Sequence, residues 1–451
     1  MRFHFIAIGG AAMHNIAIAL HLKGHMVTGS DDDIFEPSKS RLALHGLLPE
    51  VPGWHPEKIS NQTDAVILGM HARKDNPELL RAQELGIRIY SFPEFLYEQT
   101  RNKKRVVIGG SHGKTTITSM IMHVLKESGI KFDYLVGSLV EGFETMAGLE
   151  DDSEIAVFEG DEYLSSPVDP RPKFHLYHPD IAVISGIAWD HMNVFPTFDI
   201  YCEQFKKFTS LIEPDGILIY FEEDKNLKII ADEVRKDIRK ITYTIHRHIV
   251  ENSITFLIAD GKRYQVRVFG RHNMQNISAA HKVCSVLGIS GNDFYKSISS
   301  FRGAQKRLQL LFQSEKCAVF LDFAHSPSKL RATVEAVKQQ FTLRKLLACI
   351  ELHTFSSMTM EFLHEYKYSM AMADKKVVYF DPETARNKKL EVPDADFIKS
   401  AFGDDQIMVF NNKEEFSSFL LSGDWNGYTI LFMSSGTFSN MNFQEFIDSV
   451  R

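Results

Sequence analysis

Short apolar runs alternate with helical patterns along almost the whole chain, and this alternation constrains the fold more than any other feature. The runs include FHFIAIGG near the N-terminus, EIAVFEGD and DIAVISGI in the middle, and YTILFMSSG near the C-terminus. Strands that are separated by helices pair in parallel, because each helix carries the chain back to the start of the sheet. The sequence therefore predicts an α/β fold with mostly parallel sheets.

Composition excludes several classes of protein. Of the residues, 44% are hydrophobic and 24% are charged, which is typical of a soluble globular protein. The net charge of -7 argues against nonspecific nucleic-acid binding, which depends on clustered Lys and Arg. The four cysteines form no C-x-x-C pair, so we expect neither a disulfide framework nor a zinc knuckle, and a reducing cytoplasm fits. No apolar stretch approaches the ~18 residues of a membrane span.

The stretch RVVIGGSHGKTTITSM, residues 105–120, predicts a phosphate-binding loop between a strand and a helix. Glycine permits close backbone approach, Lys supplies a mobile cation, and Thr supplies a hydroxyl for Mg²⁺. The full Walker A pattern is not met, because Ile108 stands at its first glycine, and a chance GKT in a turn is the alternative. The candidate residues are Gly110, Ser111, His112, Gly113, Lys114, Thr115 and Thr116.

The first predicted turn, IAIGGAAM, resembles a dinucleotide-binding turn, and Asp31 follows the next strand. Ala7 and Ala12 replace two glycines of that pattern, so a pyrophosphate ligand other than a nicotinamide cofactor is favoured. A tight turn without a ligand is the alternative. The candidate residues are Gly9, Gly10, Ala11, Ala12, Met13, Ser30 and Asp31.

Two further strands end in groups that bind hard cations. FEGDEY, residues 158–163, carries three carboxylates, and AWDHMN, residues 188–193, carries Asp190 and His191. Taken alone, each segment would more often be a solvated loop. Beside a phosphate-binding loop at the carboxyl edge of parallel strands, they favour a metal-ATP centre.

Three domains are predicted from these segments. The polar stretch EQTRNKKRV, residues 98–106, precedes a new strand and marks the first boundary. Further on, SITFLIADGKRYQVRVF predicts a hairpin that turns at Asp260 and Gly261. We predict a Rossmann-like domain over residues 1–102, a central P-loop domain over 103–303, and a second Rossmann-like domain over 304–451.

The ordered motifs resemble those of the Mur ligases, the ATP-dependent enzymes that build the peptide on UDP-N-acetylmuramate. The series consists of GGxxM in the first turn, GSHGKTT, EGDEY, DHM, GRHNMQNISAA and DFAHSP, and it spans nearly the whole chain. The resemblance implies the three-domain fold of that family, with UDP-sugar bound by the first domain, ATP by the second and the amine substrate by the third.

The resemblance also implies roles for individual residues. Lys114 would stabilise phosphoryl transfer, Thr115 and Glu159 would hold one Mg²⁺, and His191 would hold a second. In the remaining motifs, the side chains implied to contact ATP are Asn273, Asn276, Arg307, Asp322 and His325. Several family members use a carbamylated lysine near the position of Lys206, but an ordinary solvent-facing lysine is favoured here.

The amine substrate is left open between two candidates. The segment EGDEYLSSPVDPRPKFHLYHPD favours L-alanyl-γ-D-glutamyl-meso-diaminopimelate, a wall tripeptide, over L-alanine. The segment CIELHTFSSMTMEFLHEYK, residues 349–367, is predicted to form the tripeptide wall, with a solvated loop as the alternative. A P-loop kinase and an inactive sensor of wall precursors are two further hypotheses.

Overall fold

The strands of the parallel sheets are apolar on both faces, as expected for strands that are covered by helices on either side. In the computed structural model, which describes residues 1–189 and 194–451, the residues of AVIL (65–68), IAVI (181–184) and YTILFM (428–433) are all buried. The strands are β1 (Arg2–Ile6), β2 (Met26–Ser30), β3 (Ala65–Leu68), β4 (Arg88–Ser91), β5 (Lys104–Gly109), β6 (Asp133–Leu135), β7 (Ala147–Gly148), β8 (Ile155–Glu159), β9 (Ile181–Ile184), β10 (Ile217–Phe221), β11 (Arg239–Tyr243), β12 (His248–Glu251), β13 (Ile254–Ala259), β14 (Lys262–Val266), β15 (Gln309–Gln313), β16 (Cys317–Asp322), β17 (Lys345–Leu352), β18 (Lys375–Phe380), β19 (Met408–Phe410) and β20 (Tyr428–Met433).

Helices follow most of the parallel strands. They are α1 (Ala11–Leu22), α2 (Ser38–Leu44), α3 (Pro77–Glu84), α4 (Phe92–Gln99), α5 (Lys114–Glu127), α6 (Phe198–Ser210), α7 (Lys225–Glu233), α8 (Arg271–Val286), α9 (Gly291–Ile298), α10 (Pro327–Gln340), α11 (Phe355–Met358), α12 (Met360–Leu363), α13 (Pro382–Asn387), α14 (Ala395–Phe402), α15 (Lys413–Ser422) and α16 (Phe443–Ser449). Short 3₁₀ helices span Pro56–Lys58, Lys173–Leu176 and His364–Tyr366. Several helices begin at signals that are legible in the sequence. Ser91 and Glu94 form a capping box at α4, for example.

The chain groups into two compact units. The first unit contains Met1–Thr244 and Ile277–Ser297, and the second contains Ile245–Asn276 and Ile298–Arg451. The predicted domain boundaries near residues 102 and 303 stay a prediction.

The first unit contains two sheets. One has the order β2-β1-β3-β4 and is entirely parallel. The other has the order β11-β10-β9-β5-β8-β6-β7, and in it only the edge strand β7 is antiparallel to its neighbour. The strand that precedes the predicted phosphate-binding loop, β5, therefore lies in the middle of the larger sheet, with β8 and β9 on its two sides.

The second unit contains a six-stranded sheet of order β15-β16-β20-β17-β18-β19, in which only β15 is antiparallel. Alternate residues of its strands enter two different hydrophobic clusters, such as Ala318 and Phe320 in one and Cys317 and Val319 in the other. Both faces of this sheet are thus covered by apolar side chains.

The predicted hairpin is confirmed and forms part of a small antiparallel sheet in the second unit. β13 pairs with β14 so that Ala259 lies opposite Lys262, and Asp260 and Gly261 have φ angles of 50° and 71°. The sheet is joined to α10 because Gln340 accepts a hydrogen bond from Thr255 Oγ1 at 3.0 Å and donates one to Ser253 O at 2.7 Å.

A buried histidine makes the stability of the first unit depend on pH. His175 stacks on Phe174, and its Nε2 lies 2.8 Å from Gln204 O. Burial lowers the pKa of His175 to about 4, although the hydrogen bond to Gln204 opposes that shift. At a pH between about 6.5 and 4 the unfolded chain binds a proton that the folded chain does not, so stability falls as pH falls through this range.

We expect His175→Gln to flatten this pH dependence. The difference between the pKa of His175 in the unfolded and in the folded chain corresponds to about 3 kcal/mol of unfolding free energy that the wild type loses on acidification to pH 4. Glutamine does not titrate, so the variant should not show most of this loss. Urea unfolding of the wild type and the variant at pH 7 and pH 4.5 measures the difference. His71→Gln, at an exposed imidazole, is the control. Equal pH slopes for wild type and His175→Gln would contradict the prediction.

Candidate functional site

The predicted phosphate-binding loop leaves the carboxyl end of β5 and enters α5 through two glycines in the left-handed region. Gly110 has a φ of 122° and Gly113 a φ of 77°. A Cβ atom on Gly110 would lie 2.9 Å from the backbone nitrogen of Ser185, in the segment after β9. No larger residue fits there without displacing that neighbouring segment.

The amino end of α5 is suited to an anion. Within the described part of the chain, no side chain caps the helix at Gly113, so its first amide groups are not satisfied by a capping oxygen. Such amides, together with the helix dipole, form a ready site for phosphate. The residues present therefore fit the phosphates of ATP.

Lys114 is the first residue of α5, and its ammonium is held on the loop. Nζ donates to Gly110 O at 2.8 Å and to Glu162 Oε2 at 2.7 Å. Burial alone would lower the pKa of Lys114, but the charges of Glu162, Asp161 and Glu159 outweigh it and raise the pKa above its ordinary value. The side chain is thus a permanent cation beside the amino end of the helix.

Thr115 and Glu159 are brought together by the pairing of β5 with β8. Thr115 Oγ1 donates to Glu159 Oε1 at 2.8 Å, and Gly137 N donates to Glu159 Oε2 at 2.6 Å. A hydroxyl and a carboxylate at this spacing are hard oxygen ligands that suit Mg²⁺. Across the residues that the structure describes, no group of three or more His, Cys, Asp or Glu forms a metal site. The predicted ligand His191 lies outside the described residues.

The rest of the predicted loop is used in local contacts. Ser111 Oγ accepts a hydrogen bond from Ala188 N at 2.8 Å, and the backbone oxygen of His112 accepts one from the Ser185 hydroxyl. Thr116 is buried in the first turn of α5. These contacts hold the loop against the segment that follows β9.

Glu162 is a residue of this site to which the sequence analysis gave no role. It is 1% exposed and is the ion-pair partner of Lys114, whereas its neighbour Asp161 pairs with Lys173 at 2.7 Å. The sequence did contain a signal for this residue, because FEGDEY places three carboxylates at the end of a strand. The backbone path after β8 determines which of the three carboxylates faces Lys114.

The first predicted turn is closed by Asp31. Gly9 N donates to Asp31 Oδ2 at 2.7 Å, and the backbone amides of Ala7 and Ile8 donate to Ser30 O at 2.9 and 3.1 Å. A Cβ atom on Gly9 would lie 2.8 Å from that same carboxylate oxygen. Burial raises the pKa of Asp31, although the hydrogen bonds from Gly9 and Asp32 oppose that shift.

The other predicted residues of this turn form the start of α1, with Gly10 as the N-cap followed by Ala11, Ala12 and Met13.

Asn15 is a further residue here that the sequence analysis did not identify. Its Oδ1 accepts hydrogen bonds from Met146 N at 2.8 Å and from Arg41 Nη1 at 3.3 Å. Asn15 therefore joins α1 to the segment just before β7.

The two predicted asparagines, Asn273 and Asn276, lie in the second unit and contact each other. Asn273 Nδ2 donates to Phe269 O at 2.8 Å, and Asn276 Nδ2 lies 3.4 Å from Asn273 Oδ1. Both side chains are buried in the first turns of α8. Gly270, with a φ of 87°, provides the turn that precedes this helix.

Arg307, Asp322 and His325 also lie in the second unit, around the end of β16. Asp322 accepts hydrogen bonds from Leu308 N at 2.5 Å and Ala324 N at 2.8 Å. The guanidinium of Arg307 lies over the ring of Phe323 at 4.7 Å, and His325 Nδ1 lies 2.8 Å from Phe323 O. Asp322 therefore shapes the loop that carries His325.

Lys206 lies on α6 and forms ion pairs with Glu203 at 3.3 Å and Glu233 at 3.2 Å. The hydrogen bonds to Glu233 and Glu203 raise its pKa. Two carboxylates therefore lie beside its ammonium, and the interpretation of Lys206 as an ordinary solvent-facing lysine stays a prediction.

Comparison with known proteins connects these elements to one family. The model of the Mur ligase family catalytic domain matches residues 2–104, and that of the Mur ligase middle domain matches residues 108–284. A UDP-N-acetylmuramate–L-alanine ligase of Caldicellulosiruptor bescii is 32% identical over 86% of this chain and 85% of its own length. The chain belongs to the Mur ligase family. This Mur ligase is therefore an ATP-dependent amide ligase of peptidoglycan synthesis.

Other similar proteins agree with this assignment. A UDP-N-acetylmuramate–L-alanine ligase of Desulfitobacterium hafniense is 27% identical over 97% of both chains. The structure of a UDP-N-acetylmuramate-alanine ligase from Thermotoga maritima has a TM-score of 0.74, with 22% identity over 99% of this chain and 98% of the other. A murein peptide ligase from Psychrobacter arcticus has a TM-score of 0.68, with 23% identity over 100% and 98%. The predicted three-domain Mur ligase fold is confirmed.

Two further findings concern membrane spans in this chain and a nucleotide in a similar structure. Among the described residues, no helix is long and apolar enough to cross a membrane. A Mur ligase structure from Thermotoga maritima with a TM-score of 0.60 was determined in complex with ADP. The family assignment favours the ligase over the kinase and sensor hypotheses.

We expect Lys114→Met to reduce ATP turnover by at least ~10²-fold, because the cation predicted to stabilise the transferring phosphate supplies electrostatic stabilisation of that order. The methionine retains the apolar stem of the lysine, so we expect the midpoint of thermal unfolding to stay close to that of the wild type. Lys131→Met is the matched control, since Lys131 is an exposed lysine that pairs with the exposed Asp152. Near-normal turnover in folded Lys114→Met would refute the assignment of the loop.

Proposed function

We propose that this Mur ligase joins the carboxylate of UDP-N-acetylmuramate to the amino group of L-alanine, with cleavage of ATP to ADP and phosphate. The similarity to L-alanine ligases over most of the chain carries this proposal. The segment after β8 favoured the tripeptide over L-alanine as the amine substrate. The similarity to L-alanine ligases favours L-alanine instead.

Two polar groups of the segment predicted as a tripeptide wall are used within the second unit, and this supports L-alanine as well. Glu351 is 3% exposed and accepts hydrogen bonds from Phe438 N at 2.8 Å and from the Ser434 hydroxyl. Thr354 caps α11 by accepting from Ser357 N at 3.0 Å. A tripeptide would bring additional carboxylates and an ammonium, and buried charges need compensating partners.

The chemistry proposed for the nucleotide site follows from its charges. The sugar carboxylate would attack the γ-phosphate of ATP and release ADP, and the amine would then displace phosphate from the acyl phosphate. Lys114 would stabilise the transferring phosphoryl group. Thr115 and Glu159 would hold one Mg²⁺ and His191 would hold a second, and these ions would neutralise phosphate charge.

The remaining roles come from the family and from local geometry. Asn273 and Asn276 would hold the adenine through their amides. Arg307, Asp322 and His325 would contact the nucleotide. The turn at residues 9–13, with Ser30 and Asp31, would hold the uridine diphosphate part of the sugar nucleotide.

A second candidate function is ligation of the tripeptide L-alanyl-γ-D-glutamyl-meso-diaminopimelate. The observation that favours it is the segment after Glu159. In this segment Ser165 N donates to Arg171 O at 2.9 Å, and Lys173 N donates to Tyr163 O at 2.8 Å. These bonds close a loop that leads into the 3₁₀ helix Lys173–Leu176. In sequence this loop resembles that of the tripeptide-using members of the family. Both candidates form the same bond to an L-alanyl amine.

We expect kcat/KM for L-alanine to exceed that for the tripeptide by at least ~10-fold, since ~1.4 kcal/mol of unmatched charge already gives this ratio. ADP release is measured with UDP-N-acetylmuramate, ATP and Mg²⁺ and either amine, with D-alanine as the negative control. A higher kcat/KM for the tripeptide would reverse the choice of substrate and leave the family assignment intact.

We expect Gly9→Ala to raise KM for UDP-N-acetylmuramate by about 10-fold with little change in KM for ATP, because the new methyl would separate Gly9 N from Asp31 and reshape the turn. Gly291→Ala is the matched control, since its Cβ would lie 3.9 Å or more from any neighbouring atom. Steady-state kinetics with each substrate varied in turn measure the effect. A KM change confined to ATP would contradict the role of the first turn.

A further inference from the structure

Glu162 is buried beside the predicted phosphate-binding loop and has a different partner on each carboxylate oxygen. Oε2 accepts from Lys114 Nζ at 2.7 Å, and Oε1 accepts from the Tyr201 hydroxyl at 3.2 Å. Tyr201, on α6, is fully buried. A buried carboxylate is tolerated only where such partners compensate its charge.

The hydrogen bonds behind Glu162 run in one direction. Because the single proton of Tyr201 is donated to Glu162, the contact of 3.0 Å between Ser111 Oγ and Tyr201 must have Ser111 as the donor. Ser111 Oγ in turn accepts from Ala188 N at 2.8 Å. Each hydroxyl thus accepts one bond and donates the next, and the chain ends on the carboxylate.

This chain joins segments that are distant in sequence around the phosphate-binding loop. Ser111 belongs to the loop, Glu162 follows β8, Ala188 follows β9, and Tyr201 lies on α6. A fully satisfied buried network of this kind is rigid. Glu162 is therefore held in a fixed position, and it holds the ammonium of Lys114 against Gly110 O.

We propose that Glu162 is a positioning residue of the nucleotide site, which orients Lys114 for phosphoryl transfer and weakens ground-state binding of the phosphates by its own negative charge. The same carboxylate that fixes the cation also repels the anionic ligand at short range. Such a residue trades nucleotide affinity for an oriented cation in the transition state. The proposal depends on nucleotide binding and not on which amine is the substrate.

The variant Glu162→Gln tests the charge while retaining the size and a hydrogen-bonding group. We expect the Kd for ADP, measured by calorimetry on the full chain in EDTA, to fall by about 10-fold, because one negative charge beside the phosphates is removed. We expect kcat to fall by about 10-fold or more and KM for ATP to fall as well, because Lys114 loses its fixed partner. A residue with a purely structural role would not tighten ADP binding.

Two further variants keep the test informative if Glu162→Gln is unstable. Tyr201→Phe retains the ring and the Glu162 charge, so kcat should fall several-fold while the Kd for ADP stays within about 2-fold of wild type. Glu162→Asp retains the charge but shortens the reach to Lys114. It should lower kcat without tightening ADP binding.

The outcomes distinguish failure of the role proposed for Glu162 from failure of the proposed nucleotide site. Wild-type kcat and Kd in folded Glu162→Gln, or weaker ADP binding in that variant, would overturn the role of Glu162 alone. ADP binding that Tyr201→Phe tightens as much as Glu162→Gln would do the same, since the charge would then not be the cause. A wild-type chain that binds no ADP would overturn the nucleotide site and this proposal with it.

Discussion

Parallel pairing of β5 with β8 and β9 is the constraint on which the proposed nucleotide site depends. Parallel strands end at the same edge of a sheet, so the loops after these three strands meet there. The register that places Ile108 opposite Glu159 also brings Thr115 within 2.8 Å of that carboxylate. Without this pairing, the residues of GSHGKTT and EGDEY would be separate loops of no particular chemistry.

Charge compensation then determines how the groups at this edge are arranged. Three carboxylates and two lysines lie in this part of the first unit, and two of the carboxylates form ion pairs with the lysines: Lys114 pairs with Glu162, and Lys173 pairs with Asp161. Glu159 takes the hydroxyl of Thr115 and the amide of Gly137 in place of a cation. That carboxylate alone of the three is left with neutral donors, which is consistent with a position beside Mg²⁺ in the proposed reaction.

Glycine positions give the loops their close approach to neighbouring backbone. Gly110 lies against the backbone of Ser185, and Gly9 lies against Asp31. In both cases a methyl group would occupy the space that a loop or carboxylate now fills. The two turns are built in the same way, although one belongs to the proposed phosphate-binding site and the other to the proposed sugar-nucleotide site.

Much of this protein could be read from the sequence, because the signals are local. Apolar runs predicted β1, β8, β9 and β20, and a strand followed by GSHGKTT predicted the loop and α5. The edge strand β7, only two residues long, carries no such signal and depends on β6 for its existence. The choice of Glu162 as the partner of Lys114, the use of Glu351 inside the second unit, and the link from Asn15 to Met146 were decided only by the tertiary structure. Each depends on a contact between residues far apart in the chain, and no local pattern records which of several similar side chains will make it.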